Sequence, residues 1–375
     1  MESEGEKMIV YVLIFLILSA GTVLNIALLP TLNNQQKKKR ESYPLVSILI
    51  PMRNEERNVK RVVRAVKLLT YPNFECIILD DGSTDKTREL LEGETANDDR
   101  FKIVDGSTLP SKWVGKVYAC HQLSKRANGD YLLFLDADVS LKSDTVEQSL
   151  ALIEKRNGSL LTGFSRFPVK HMLESLIVPM QHVVVFTYLP VLLANYTNYP
   201  SATAAHGAFM FFRRKDYDKV GGHEAVQSSL IEDVHLAQQF KRKGLKVVLA
   251  NITSHVSCFM YESDEEVWNG FAKNIYTGLG RSTASLLALS LFFFAYYVLP
   301  VPLFIYGLLT SQWFAVIPLL LVLTQRLMID IATKQKWYLC LTMPFAALAL
   351  IALMQHSMWR GVQRIGYEWK GRHYQ

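Results

Sequence analysis

The chain has 375 residues, 50% hydrophobic and 20% charged, with 41 basic against 34 acidic side chains and a formal charge of +7. No charged residue occurs from Ile9 to Gln36, from Ser282 to Gln325, or (His356 aside) from Trp337 to Trp359. Blocks that long exclude a plain soluble protein and point to a membrane enzyme with a water-exposed middle. The basic residues flank apolar blocks instead of forming one stripe interleaved with aromatics, which argues against a nucleic-acid partner.

The first block, Ile9 to Leu29, is about 21 residues, enough for the roughly 30 Å hydrocarbon layer. Its N-terminal flank is acidic and its positive cluster, Lys37 to Arg40, follows it. That order differs from a secretory signal and predicts a retained anchor over residues 1–36, with the chain from Lys37 onward in the cytosol.

Next, strand-like and helix-like segments alternate. Val46–Pro51 predicts a strand, and Asn58–Leu69 a helix burying Val59, Val62, Val63 and Val66. Phe74–Leu79 predicts the second strand, stopped by Asp80-Asp81-Gly82-Ser83, with Thr84 capping a helix to about Leu91. Phe101–Val104 and Tyr131–Leu135 predict two more strands, with helices over Gly115–Ala127 and Thr145–Lys155. This alternation predicts an α/β fold, a parallel-rich sheet covered by helices, with ligands beyond the C-terminal ends of the strands. From Ser175 to Phe212 the chain has no Asp, Glu, Lys or Arg but is interrupted by Pro179, Pro190 and Pro200. It predicts helix and loop at the bilayer surface or buried in the domain, and a helix follows over Val234–Lys243. The four cysteines lie far apart, form no zinc spacing and fit a reduced compartment better than disulfides.

The C-terminal third predicts two crossings in Ser282–Gln325, with a turn near Thr310-Ser311-Gln312, and a third over Trp337–Trp359. Four crossings place the tail outside, whereas its Arg360, Arg364, Lys370 and Arg372 favour the cytosol. The basic tail is expected inside, with the last block re-entrant or one earlier segment not crossing. Arg326 and Asp330 are expected as a surface pair at a membrane boundary. The expected organisation is an anchor over 1–36, a cytosolic domain with interfacial segments over 43–281, a transmembrane region over 282–359 and the tail over 360–375.

The strongest chemical signal is Asp136-Ala137-Asp138 directly after a buried strand. Two aspartates there suit Mg²⁺ or Mn²⁺, useful where a substrate brings a diphosphate; a solvated loop pair is the alternative. Asp80 to Asp85 occupies the same rim, with Asp81 positioned for a base or ribose, and Pro51 to Glu56, including Asn54 and Glu55, supplies a third rim element. Lys116 places an ammonium beside phosphate or is a surface lysine. Asp233, beside Glu232, is the candidate base, although carboxylates are also favoured at any helix start. His206-Gly207 and His255 line an acceptor pocket or are structural. Neither a Gly-x-x-x-x-Gly-Lys-Ser/Thr loop nor a Gly-x-Gly-x-x-Gly motif is present.

Pro51–Glu56, Asp80–Asp85, Trp113–Lys116, Asp136–Asp138 and Glu232-Asp233, taken in this order, resemble family 2 glycosyltransferases, the inverting GT-A group, over about Tyr43–Ser282. The resemblance implies a GT-A fold, contact of Asp81 with uridine, donor contacts from Pro51, Asn54, Glu55 and Lys116, and Asp136 and Asp138 holding the nucleotide and Mg²⁺ or Mn²⁺. It also implies Asp233 as base, with Glu232, His206 and Gly207 near the acceptor. The anchor, Trp113-Val114-Gly115-Lys116, Gly221-Gly222-His223 and Glu368-Trp369-Lys370-Gly371-Arg372 resemble the branch that transfers glucose from UDP-glucose to the carboxyl of a C30 carotenoid. Diacylglycerol, sphingolipid-like or polyprenyl acceptors are the alternatives. A processive synthase is disfavoured, because Trp268-Asn269-Gly270 stands where Gln-x-x-Arg-Trp is found in polymer makers. By resemblance to lipid glucosyltransferases, Trp369 and Arg372 reach the active site. The resemblance also implies a bacterial cell membrane, a cleft open to the bilayer and association with other membrane biosynthetic enzymes.

Overall fold

The computed structural model describes residues 2–33, 42–363, 367–369 and 372–374, and of residues 2–5, 274, 367–369 and 372–374 the backbone alone. The positive cluster 37–40 and the tail residues Arg364 and Lys370 lie outside the described residues. The chain divides into two compact units. One comprises Leu29–Arg166 and Leu189–Phe259; the other comprises Met1–Leu28, Phe167–Tyr188 and Met260–Gln375.

In the first unit nine strands are described: β1 (Val46–Met52), β2 (Phe74–Asp80), β3 (Phe101–Asp105), β4 (Tyr131–Leu135), β5 (Val139–Leu141), β6 (Leu160–Phe164), β7 (Phe209–Arg213), β8 (Val247–Asn251) and β9 (Val256–Cys258). Seven form one sheet in the order β3-β2-β1-β4-β7-β6-β8, and β5 pairs with β9. The strands β3, β2, β1 and β4 run parallel, as do β6 and β8, while β7 is antiparallel to both β4 and β6. The fold is GT-A-like, with a mostly parallel mixed sheet. β1 and β4 are apolar runs buried along nearly their whole length, as strands covered on both faces must be. The helix Glu56–Lys67 buries its four valines, and the helices Gly115–Arg126 and Glu232–Arg242 bury Val117, Leu123, Leu236 and Phe240 in a core shared with Phe134 and Phe212.

Thr84 does not cap the next helix. The helix is Thr87–Thr95, and Asp85 takes the capping work by accepting from the Thr87 amide at 3.0 Å and its hydroxyl at 2.5 Å. Just after the first apolar helix, residues 30–32 bond to β8, with the Asn251 amide donating to Pro30 O at 2.8 Å. The β6–β8 pairing depends on Gly163, opposite Ala250. A Cβ there would lie 2.0 Å from the Ala250 carbonyl oxygen, which belongs to a paired strand and cannot retreat. Gly163→Ala is therefore expected to cost about 3 kcal/mol, read as a lowered midpoint in thermal unfolding; an unchanged midpoint would contradict the strand register.

Among the described residues of the second unit four helices are long and apolar enough to cross a membrane: Glu6–Leu28, Thr283–Thr310, Trp313–Ala332 and Trp337–Val362. The second and third part at Ser311, whose φ of 59° ends the helix Pro300–Thr310, where the turn was expected. Pro344 sits in the first turn of the helix Met343–Val362, where its missing N–H costs nothing. The proline-interrupted stretch contains the short helices Met172–Ile177, Met180–Tyr188 and Val191–Tyr196, none long enough to span. Arg326 and Asp330 are not a surface pair. Both are buried one helical turn apart, with Arg326 Nε 2.9 Å from each Asp330 oxygen and Nη1 3.3 Å from Met180 Sδ. The apolar surroundings close over the pair because both charges are neutralised internally.

Candidate active site

The strand order makes a rim. β1 leads to β2 on one side and neighbours β4 on the other, so a crevice opens beyond their C-terminal ends. Because β7 runs backwards, with Leu135 opposite Phe209, the residues preceding β7, His206 to Ala208, arrive at the same rim as Asp136. The Asp136 amide donates to Ala208 O at 3.4 Å.

One side of the rim is a laced pair of loops. The Asp81 amide donates to Met52 O at 2.8 Å, and Arg53 donates to the carbonyls of Asp81 and Gly82. Asn54 adopts φ 52°, a region asparagine tolerates; its amide donates to Ser83 Oγ at 3.0 Å and its side chain accepts from the Thr84 amide at 2.8 Å. The Glu55 amide donates to Thr87 Oγ1 at 2.8 Å. Gly106 runs close against Asp81: a Cβ there would stand 3.0 Å from Asp81 Oδ1. Pro51, Asn54, Glu55 and Asp81 thus belong to one ordered wall.

The other side gathers the charged groups. Lys116, at the start of the helix Gly115–Arg126, sets Nζ 2.7 Å from Asp136 Oδ1, 3.0 Å from Oδ2 and 3.1 Å from Glu232 Oε1. Glu232 and Asp233 open the helix Glu232–Arg242. Asp233 accepts from the Gly207 amide at 2.8 Å through Oδ2 and from the Val234 amide at 2.8 Å through Oδ1. Gly207 is the hub: a Cβ there would lie 3.1 Å from Lys116 Nζ and 3.6 Å from both Asp233 Oδ2 and Glu232 Oε1. No larger residue fits without displacing one of them.

Electrostatics separate these groups. Burial, reinforced by the neighbouring Glu232, pushes the Asp233 carboxyl up to about 7. Burial, then Asp136 and Glu55, likewise raise Asp138 to about 7. Burial opposes the charge on Lys116, but Asp136 and Glu232 outweigh it and hold the ammonium well above its usual range. His206, whose amide donates to Thr162 Oγ1 at 3.1 Å, is pushed by burial down to about 4 and is neutral at pH 7.

One expected residue of this unit, His255, has its partners outside this cluster. His255 Nε2 lies 3.3 Å from Asp144 Oδ1, and its carbonyl accepts from the Lys142 amide, so it ties β9 to the start of the helix Thr145–Lys155. Trp369 and Arg372, also expected at the site, are register partners in the antiparallel strands Tyr367–Trp369 and Arg372–Tyr374, in the second unit; their side chains lie outside the described residues. Sequence reading missed Cys258, whose Sγ donates to Asp138 Oδ1 at 3.4 Å. It is delivered by the β5–β9 pairing from 120 residues away, and nothing local announces it.

Among the described residues no group of three His, Cys, Asp or Glu side chains is placed to hold a metal by itself. Asp136 and Asp138 nonetheless fit a hard divalent cation, because such ions take one or two carboxylates and complete their shell with substrate phosphate and water. The crowding of Glu55 and Asp136 on Asp138 is the excess negative charge such an ion relieves.

Residues 47–221 match the family described as Glycosyl transferase family 2. Over that span, a little under half of its length, the chain is similar to this family. The matched span contains both loops of the wall, Lys116, Asp136 and Asp138. A 4,4'-diaponeurosporenoate glycosyltransferase of Staphylococcus haemolyticus is 25% identical over 264 residues, 69% of this chain and 68% of the relative. One from Staphylococcus aureus is 28% identical over 250 residues, 65% of this chain and 64% of the relative. The chain thus spans about two thirds of these relatives' length. In fold, the chain resembles the mannosyltransferase PcManGT from Pyrobaculum calidifontis, solved in complex with GDP-Man and Mn²⁺. The match has a TM-score of 0.53 at 15% identity and covers 95% of this chain and 99% of that one.

Proposed function

We propose that this protein transfers glucose from UDP-glucose, with inversion, to a membrane lipid acid, a C30 carotenoid carboxylic acid of the 4,4'-diaponeurosporenoate type. The observation that carries the reading is the gathering of Asp136, Lys116, Glu232, Gly207 and Asp233 around one point on the sheet rim. That arrangement puts a diphosphate-side carboxylate and ammonium next to a buried candidate base, as single displacement at a sugar carbon requires. The carotenoid acceptor is supported by the names of the relatives, and a membrane acceptor by the four apolar helices of the same chain. The reading sets the glycosyltransferase domain on the cytosolic side of a bacterial membrane, with the apolar helices crossing it.

In this mechanism the wall built from Pro51, Asn54, Glu55 and Asp81 seats the nucleoside. Asp136 and Asp138 would hold Mg²⁺ or Mn²⁺, which would neutralise charge on the departing diphosphate. The acceptor oxygen forms its bond to the sugar carbon on the face opposite the leaving group while the carbon–oxygen bond to UDP breaks. Asp233 receives the proton from a hydroxyl acceptor. A carboxylic acid acceptor, with a reference pKa near 4–5 by comparison with Glu, arrives ionised and needs orientation only. Hydroxyl lipids, whether diacylglycerol, sphingolipid-like or polyprenyl, are the second acceptor class, and the raised Asp233 carboxyl suits them.

The test is a purified-protein assay crossing a panel of UDP-sugars with lipid acids and lipid alcohols, read by product mass. A hexose added to a polyene acid from UDP-glucose is the expected product. Transfer only from another nucleotide sugar, or none to any lipid, would overturn the reading.

A further inference from the structure

Asp136 already has a cation of its own. Lys116 Nζ lies within 3.0 Å of both its oxygens and reaches Glu232 at 3.1 Å, so one ammonium joins the donor side of the site to the carboxylate next to Asp233. Gly207 leaves the space that lets it do so. A divalent ion held by Asp136 uses these same oxygens, and two positive groups on one carboxylate repel strongly in a partly buried setting. Lysine is a point charge on a flexible four-carbon stem and can move away, whereas the short side chain of Asp136 keeps its carboxylate near the end of β4. The chemistry that best receives the displaced ammonium is the diphosphate of the incoming donor.

We propose that Lys116 and the divalent cation are alternative occupants of Asp136, exchanged when the nucleotide diphosphate arrives. Cation and donor then bind as a unit, and the same exchange releases Glu232 beside Asp233. The inference rests on the nucleotide-sugar reading above and adds an order to it: the cation alone must compete with Lys116, but the cation with its diphosphate need not, because the diphosphate takes the ammonium. Lys116 is in this sense a positioning residue that couples metal binding to donor binding.

The experiment measures Mn²⁺ affinity of the full chain, with and without UDP, from the electron paramagnetic resonance signal of free Mn²⁺. Wild type is expected to bind Mn²⁺ weakly alone and tightly with UDP. In Lys116→Met, Mn²⁺ alone binds about tenfold tighter or more, and the gain on adding UDP shrinks by a similar factor. Lys116→Arg keeps the charge and binds Mn²⁺ alone as weakly as wild type. Unchanged or weaker binding of Mn²⁺ alone by Lys116→Met, with wild type still forming its Mn²⁺–UDP complex, overturns the exchange and leaves the donor reading standing. Failure of wild type to bind Mn²⁺ or UDP at all overturns both. Thermal unfolding with and without Mn²⁺ guards against a folding defect, and Lys116→Gln repeats the test with a second neutral side chain. If neither neutral variant folds even with Mn²⁺ present, the exchange is also wrong, since the ion would then not replace the ammonium.

Discussion

Asp233→Asn is expected to cut transfer to a hydroxyl lipid by about 10²- to 10⁴-fold, the range a positioned general base contributes. Transfer to a carboxylic acid acceptor should fall much less, because that acceptor has no proton to lose near pH 7 and an amide still offers a hydrogen bond to orient it. The pH profile carries the same distinction. Burial and Glu232 raise the Asp233 carboxyl to about 7, so the basic form is lost as pH falls through 7 and returns as it rises. Hydroxyl transfer should therefore climb with pH through about 7. Transfer to a lipid acid should stay flat there, since the acceptor remains ionised and a protonated Asp233 can donate to it. Matched assays of both acceptors, in wild type and variant, decide the matter; equal losses on the two would contradict the assigned role.

The second large effect is expected at Asp136. Asp136→Asn removes the carboxylate that faces Lys116 through both oxygens and that the reading assigns to the cation. Activity should fall by about 10³-fold or more, on the scale of losing a main electrostatic contributor at a developing charge. Mn²⁺-dependent UDP binding, followed by calorimetry, should disappear with it. Retained metal-dependent UDP binding in the variant would place the cation elsewhere.

The sequence made half of this architecture legible, for a physical reason. β1, β2 and β4 are apolar runs covered on both faces, and their ends are marked by prolines and aspartates, so local pattern alone locates them. The acids at 81, 136 and 138 could be placed on a rim because strand ends are where such runs stop. The reversal of β7 was not legible: its pairing with β4 joins residues about eighty positions apart, and the apolar run Phe209–Phe212 carries no sign of its direction. That reversal brings Gly207 to Asp136, so the hub glycine appeared only as a possible acceptor-pocket residue. The Lys116–Glu232 contact was hidden for the same reason, as it joins two helix starts through space. Arg326 and Asp330 show the opposite failure. Two charges at the end of an apolar block look like a boundary, yet at i and i+4 they satisfy each other and are buried.

The central claim is single displacement at one sugar carbon by an acceptor oriented at Asp233 against a leaving group held beside Asp136. The most direct test is the anomeric configuration of the product, read by nuclear magnetic resonance of the lipid-linked sugar formed from UDP-α-glucose. The account predicts a β-linked glucosyl product; an α-linked product would contradict it.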